Sequence, residues 1–381
     1  MQDSSQQFSL PKGMYLLSHS VGCLPVLTRS EVGQTYFEPW QQKGGDAWPT
    51  WLTVIEQFCH ELSHLFNANT ADFCPQPSVS SGLSQYLQAL PTHSEASATG
   101  QKRRRVLMHA SAFPSLGFAV QGLQNMGFEL TLIDKRYDPN DLDAWQKHLS
   151  DDVAVAVITH VHSNTGVVSN VTQISQLCQT YNARVVVDVA QSAGAVPVDL
   201  QEWQVDALFG SCVKWLCGGP GAGFMWVNPA HIDELEPKQL GWFSHQDPFE
   251  FDIEHFAFAQ GAKRFWGGTP SILPYASALV GLQQINQIGP QAIHAHSKSL
   301  QKIVLASAEK HLLTPLSLEQ TGGTLCLHLS QKKSAALQQK LKAAHAYFDQ
   351  REDCFRLSWH IYNTAQEAEL VADMFQHLPL I

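Results

Sequence analysis

Three runs of this chain are too continuously apolar to lie on a surface: Arg105–His109, Val153–Val161 (VAVAVITHV) and Arg184–Val189 (RVVVDV). A strand with one wet face alternates apolar and polar residues. Strands like these are covered on both faces, which is the habit of a parallel sheet flanked by helices. Helical patterns fall between and after them, at Phe118–Met126, Asp141–Leu149 and Ile174–Tyr181, and Phe128–Ile133 reads as a further strand. The alternation predicts an α/β fold with a mostly parallel sheet, whose ligands bind beyond the carboxyl ends of the strands. Asp188 and the segment His160–Gly166 lie at such ends. The texture changes near residue 275. Helical patterns at Tyr275–Ile288, Ala292–Leu313, Ser334–Ala344 and Ala365–His377 enclose strands at Thr324–Leu329 and Cys354–Ser358. The expected organisation is a large α/β domain over 15–274 and a smaller α+β domain over 275–381, joined by 1–14.

Composition narrows the partners. The 381 residues carry a formal net charge of −10, which argues against nucleic acid or an anionic membrane as the main partner. The one dense basic cluster, Lys102–Arg105, precedes a strand and reads as a solvated loop. No apolar run approaches the ~20 residues of a membrane helix, and the polar N-terminus does not resemble a signal peptide. The eight cysteines form no CxxC pair and read as reduced thiols of a cytoplasmic protein.

His60-Glu61-Leu62-Ser63-His64 matches the HExxH pattern of zinc proteases. It sits on a helix whose apolar residues Trp51, Ile55, Phe58, Leu62 and Leu65 define the buried face, which turns both histidines toward solvent. No third zinc ligand is evident, so no metal site is expected there. No phosphate-binding GxxxxGK(S/T) motif is present, and neither Ser192 nor Ser211 sits in a GxSxG elbow.

The stretch from Val185 to Gly223 carries the chemistry. Asp188 ends a run of valines, and 26 residues later Lys214 stands between Val213 and Trp215. A lysine amine in apolar surroundings is easily deprotonated and nucleophilic. Paired with a carboxylate at a strand end, it suits pyridoxal phosphate, which forms a Schiff base with a lysine and needs an acid beside its pyridine nitrogen. The alternative reading of Lys214 is a lysine whose stem snorkels to water.

Several motifs in order then resemble the class V aminotransferase family of fold-type I pyridoxal-phosphate enzymes, and within it the kynureninase branch. They are Tyr15–Gly22 (YLLSHSVG), Asp188–Gly194 with Val196–Leu200, Lys214–Leu216 with Gly218–Gly221, Gly241–His245 (GWFSH), Arg264–Pro270 (RFWGGTP) and Arg356–Thr364 (RLSWHIYNT). The resemblance implies a mostly parallel seven-stranded sheet with a smaller α+β domain, and a homodimer with its active site at the interface. It makes Lys214 the Schiff-base lysine and Asp188 the partner of the pyridine nitrogen. Phe113 would stack on the cofactor ring. Ser80, Ser81, Gly82 and Ser211 would hold its phosphate, with Trp242 nearby and Thr269 reaching the neighbouring subunit's phosphate. Gln191 would donate to the phenolic oxygen, Asn164 would sit near that oxygen or the substrate carboxylate, and Arg356 would clamp the α-carboxylate of an amino acid.

The chain departs from kynureninase at three positions: Gln191 replaces a histidine, Val213 a tyrosine and Asn164 an arginine. The missing phenol removes a group suited to proton transfer. Desulfurase chemistry needs a thiolate on a mobile loop, whereas Cys326 and Cys354 fall in or beside strand patterns. The expectation is a class V aminotransferase. The alternatives are a kynureninase-like hydrolase or β-lyase, and a binding protein that keeps the fold without the chemistry.

Overall fold

The computed structural model describes residues 4–91, 103–313 and 317–379; Lys102 of the basic cluster lies outside them. Seven strands form the central sheet: β1 Phe73–Gln76, β2 Arg105–His109, β3 Glu129–Ile133, β4 Val153–Thr159, β5 Arg184–Asp188, β6 Ala207–Ser211 and β7 Gly223–Val227. Their spatial order is β1-β7-β6-β5-β4-β2-β3, and β7 alone runs against the rest. The strand residues alternate between two cores. Val185, Val187 and Leu208 enter one core, while Val186, Ala207 and Phe209 enter the other. This is why the sequence shows no polar period in β4 or β5: neither face meets water.

Helices cover both faces. The helices α1 Trp48–Phe66, α2 Val79–Ala89, α3 Pro114–Gln121, α4 Leu142–His148, α5 Val171–Gln179 and α6 Leu273–Ile288 belong to this layer. The helix expected at Phe118–Met126 starts earlier, because Pro114 takes its first turn, where a missing N–H costs nothing. Three strands of this sheet have no counterpart in the sequence reading: β1, β6 and β7. Tyr275, Ala278, Leu282 and Ile285 of α6 pack into the large core, and α6 lies against α1.

A second sheet is antiparallel, in the order β8-β10-β9, from β8 Thr324–His328, β9 Asp349–Arg351 and β10 Cys354–Ser358. Helices α7 Pro290–Ala308, α8 Gln331–Ala343 and α9 Ala365–Gln376 pack on its apolar face, which carries Leu325, Leu327, Phe355 and Leu357. Strand alternation puts Cys326, Asp349, Cys354 and Arg356 together on the opposite face. The N-terminal segment docks beside this sheet: Leu16 N–H donates to the Tyr347 carbonyl, and the Leu16 carbonyl accepts from Ser358 N–H. Among the described residues no helix is long and apolar enough to cross a membrane.

Candidate active site

Because β1, β2, β4, β5 and β6 run the same way, their carboxyl ends deliver five segments to one edge of the sheet. These are Ser78–Gly82, Ser111–Phe113, His160–Asn164, Asp188 and Ser211–Lys214. Asp188 is buried, and its carboxylate accepts one hydrogen bond among the described residues, 2.8 Å from the Ala190 amide. Burial raises its pKa, against the pull of that amide and of Lys214. Burial lowers the pKa of Lys214, against the pull of Asp188. The two groups feel each other's charge, yet no direct ion pair joins them. Phe113 caps the start of α3 with 42% of its surface exposed, and the Lys214 ammonium lies 5.7 Å from its ring centre.

A buried acid and a half-buried amine held near one another but unjoined suit a ligand that bridges them, and the exposed aromatic face beside the amine suits a flat, electron-poor ring. On this donor set the residues fit pyridoxal phosphate.

The other expected residues are placed as follows. Gln191 is buried and spans two neighbours: Nε2 donates to the His19 carbonyl at 3.0 Å, and Oε1 accepts from the Trp215 indole at 3.1 Å. Ser211 is half-buried at the end of β6. Ser80, Ser81 and Gly82 do not precede α2 but form its first turns. Ser78 is the N-cap, accepting from Ser81 N–H at 3.1 Å and bonding the Ser80 hydroxyl at 3.3 Å. A side chain at Gly82 would strike the Phe209 ring at 2.8 Å, which keeps this turn close to the sheet. Ser80 and Ser81 line a cavity of about 370 Å³ with Ser84 and Ser115; Asp188 and Lys214 do not line it. Trp242 donates to the Thr269 hydroxyl at 3.3 Å. Within one chain no hydrogen bond or ring contact ties that pair to Lys214, Asp188 or Phe113. Asn164 is exposed, on the loop that Arg356 grips.

That grip belongs to a network reaching over from the small sheet. Arg356 is buried; its Nη1 donates to the Ser163 carbonyl at 2.9 Å, while Nε and Nη2 both engage Asp349 Oδ2. Asp349 is held well below the usual carboxylate range by the His19 imidazole, 3.8 Å away, and by the closer Arg356 guanidinium. His19 is buried and neither ring nitrogen has a hydrogen-bond partner. Burial lowers its pKa, Asp349 opposes that, and Arg356 and Lys214 reinforce it. The sequence reading missed both His19 and Asp349. The signal for Asp349 is the strand register, which pairs it with Arg356.

A second missed element ties two site loops together. The Ser111 hydroxyl lies 2.5 Å from His109 Nδ1 and 2.7 Å from His162 Nδ1, and His162 Nε2 lies 3.1 Å from the Ser169 hydroxyl. His109 Nε2 faces the Tyr137 carbonyl at 3.1 Å, so it carries the proton and Nδ1 accepts. Ser111 therefore donates to His109 and accepts from His162 Nδ1–H, which leaves His162 Nε2 to accept from Ser169. Burial pushes His162 down to about 4, which keeps this relay neutral. It joins the loop leading to Phe113 with the loop leading to Asn164.

On the HExxH helix, His60 and His64 are exposed, as their spacing predicts, and Glu61 accepts from the Asn286 amide at 2.7 Å. All eight cysteines are free; seven are buried and Cys354 is half-buried in β10. No thiol stands on an exposed loop.

Solved structures similar in fold include C-DES with glycine covalently linked to its pyridoxal phosphate, at a TM-score of 0.85 and 22% identity over 98% of this chain and 99% of that one. The cysteine desulfurase of Thermococcus onnurineus NA1 gives 0.80 and 18% over 96% and 94%. The uncharacterized aminotransferase YcbU of Bacillus subtilis (strain 168) is 29% identical over 89% of this chain and 88% of its own. A kynureninase of Burkholderia pseudomallei (strain 1106a) is 32% identical over 83% of this chain and 77% of its own. The family model for class V aminotransferases matches residues 81–371. The chain therefore belongs to the class V aminotransferases, a family of pyridoxal-phosphate-dependent enzymes.

Proposed function

We propose that this enzyme transaminates an α-amino acid, with pyridoxal phosphate carried on Lys214. The observation that carries the reading is the half-buried Lys214 amine, which feels the charge of Asp188 but forms no ion pair among the described residues, beside the open face of Phe113. When bound, the cofactor supplies an electron sink for charge developing at the substrate Cα. Asp188 holds a proton at the pyridine nitrogen, its carboxylate braced by the Ala190 amide. Lys214, its pKa lowered by burial, moves the proton at the substrate Cα near neutral pH. Arg356 holds the α-carboxylate, with Asp349 and the Ser163 carbonyl fixing the guanidinium plane so that its remaining N–H groups face the ligand. Ser78, Ser80, Ser81 and the first amides of α2 take the phosphate. Gln191, Asn164 and Ser211 complete the shell.

The reading includes a homodimer in which Trp242 and Thr269 face the partner's cofactor. The run of exposed apolar residues Phe249, Phe251 (83% exposed) and Ile253 (99%) supports such a covered face. We divide the chain into a large unit running through α6 and a small unit from 289 onward, because α6 packs into the large core. The free cysteines support a reducing, cytoplasmic setting.

Kynureninase-like hydrolysis is the second reading, favoured by the 32% identity to the Burkholderia enzyme and opposed by Gln191, Val213 and Asn164. One experiment separates them. The purified enzyme, reduced with borohydride, should carry the cofactor's mass on the Lys214 peptide. Turnover of an amino acid that requires a keto-acid acceptor supports transamination. Acceptor-independent release of alanine from kynurenine rejects it in favour of hydrolysis, and no labelled peptide rejects both.

A further inference from the structure

The HELSH helix carries a feature the family chemistry does not use. His60 and His64 project from one side of α1 one turn apart, both exposed, with ring centres 4.5 Å apart and Nε2 atoms 3.3 Å apart. Two zinc–imidazole bonds of about 2.0–2.1 Å meeting at a tetrahedral angle require nitrogen atoms about 3.3–3.4 Å apart. The side chains already stand at a chelating separation, on a helix of 19 residues whose opposite face is locked in the core by Ile55, Phe58, Leu62 and Leu65. Little has to move for a cation to sit between the two Nε2 atoms.

The intervening acid is not part of this face. Asn286 on α6 donates to both the Glu61 carboxylate, at 2.7 Å, and the Glu61 carbonyl, at 2.9 Å. Glu61 is thereby drawn toward α6 and is not free to activate a metal-bound water, which removes the zinc-protease reading of the motif. Among the described residues no third histidine, cysteine or carboxylate joins the pair. Water completes the shell.

We propose that His60 and His64 form a bidentate site for one divalent transition cation of the zinc, nickel and copper class. Two neutral imidazoles and no carboxylate select these borderline metals over magnesium and calcium, which need oxygen ligands. The site shares no residue with the Lys214 cluster and is independent of the proposed reaction.

The test uses the untagged full-length protein, loaded with pyridoxal phosphate and stripped with a chelator. Equilibrium dialysis against Zn²⁺ should show one equivalent bound saturably. His60→Ala and His64→Ala should each weaken it about tenfold or more, and the double variant should bind more weakly than either. The exposed histidine His255, which pairs with Asp252, serves as control, and His255→Ala should bind as the parent does. The Cu²⁺ complex should show electron-spin coupling to two imidazole nitrogens in the parent and one in His64→Ala. The proposal is overturned if the parent binds no zinc, or if either alanine variant, with unchanged circular dichroism, binds it as tightly as the parent.

Discussion

The two halves of the site treat buried charge in opposite ways. At the large sheet, the buried Asp188 and the half-buried Lys214 share no ion pair, and desolvation pushes each toward its neutral form. At the small sheet, Arg356 and Asp349 are joined directly, and the carboxylate is driven the other way, firmly into its ionised form. An unpaired buried charge costs stability and is kept where a ligand will supply the missing partner. A paired one fixes geometry before the ligand arrives. Under the proposed function, the large-sheet half would be the reacting end and the small-sheet half the ruler.

The sharpest way to break this contrast is to remove one cation from each half. Lys214→Ala should lower turnover by about 10³-fold or more. In protein freed of cofactor the same change should raise the melting temperature by a few degrees, roughly, because folding no longer desolvates an ammonium ion. Burial lowers the folded-state pKa of Lys214, so the destabilisation it causes is full below that folded-state value and fades as pH rises from it toward the ordinary lysine value. The gain in Lys214→Ala should therefore shrink in melts at alkaline pH. A variant no more stable than the parent at neutral pH would mean that Lys214 is not a strained charge.

Arg356→Ala should do the reverse. We expect kcat/KM to fall by about 10²-fold, chiefly through KM, and the melting temperature to fall as well, since Asp349 is left partly buried with only the more distant Arg351 and His19 beside it. Steady-state kinetics and a thermal melt check both. Unchanged KM for the amino acid would remove Arg356 from the clamp.

Asp349→Asn sharpens the comparison on the acid side. The folded-state pKa of Asp349 lies below its unfolded value. Its contribution to stability is thus complete above the ordinary carboxylate range and is lost as pH falls through and below it. The parent should lose stability between neutral and strongly acidic pH more steeply than the variant. Equal slopes in denaturant titrations would show that the ion pair is energetically idle.

The smallest effect should come from Trp215→Phe. It removes the indole N–H that Gln191 accepts, a bond worth about 1 kcal/mol. A several-fold rise in the dissociation constant for pyridoxal phosphate, read by fluorescence titration, is expected. No change would detach Gln191 from cofactor binding.

How much of this was legible depended on whether a signal was local. The strands β4 and β5 announced themselves through unbroken apolar runs. The strands β1, β6 and β7 did not: Pro75 and Gln76 interrupt the first, while Gly210 and Gly223 dilute the others. Gln76 is buried because it bonds Gln85 and the Phe265 carbonyl, partners that no local reading supplies. Asp188 and Lys214 were visible as polar residues stranded among apolar ones. His19 and Asp349 were not, because each becomes notable only when the amino terminus and β9 are brought against Arg356.

The docking of the N-terminal segment beside the small sheet bears on how the molecule is made. Ser18 bonds Tyr362, 344 positions away, Gly22 N–H donates to the Val213 carbonyl, and a side chain on Gly22 would sit 2.0 Å from the Lys214 carbonyl oxygen. The segment around Ser18 therefore finds its partner only once the chain as far as Tyr362 has been synthesised. Until then His19 has no site to occupy and the Lys214 turn lacks one wall. Loop closure on that scale is slow, so cofactor capture should be a late event in the life of each new chain.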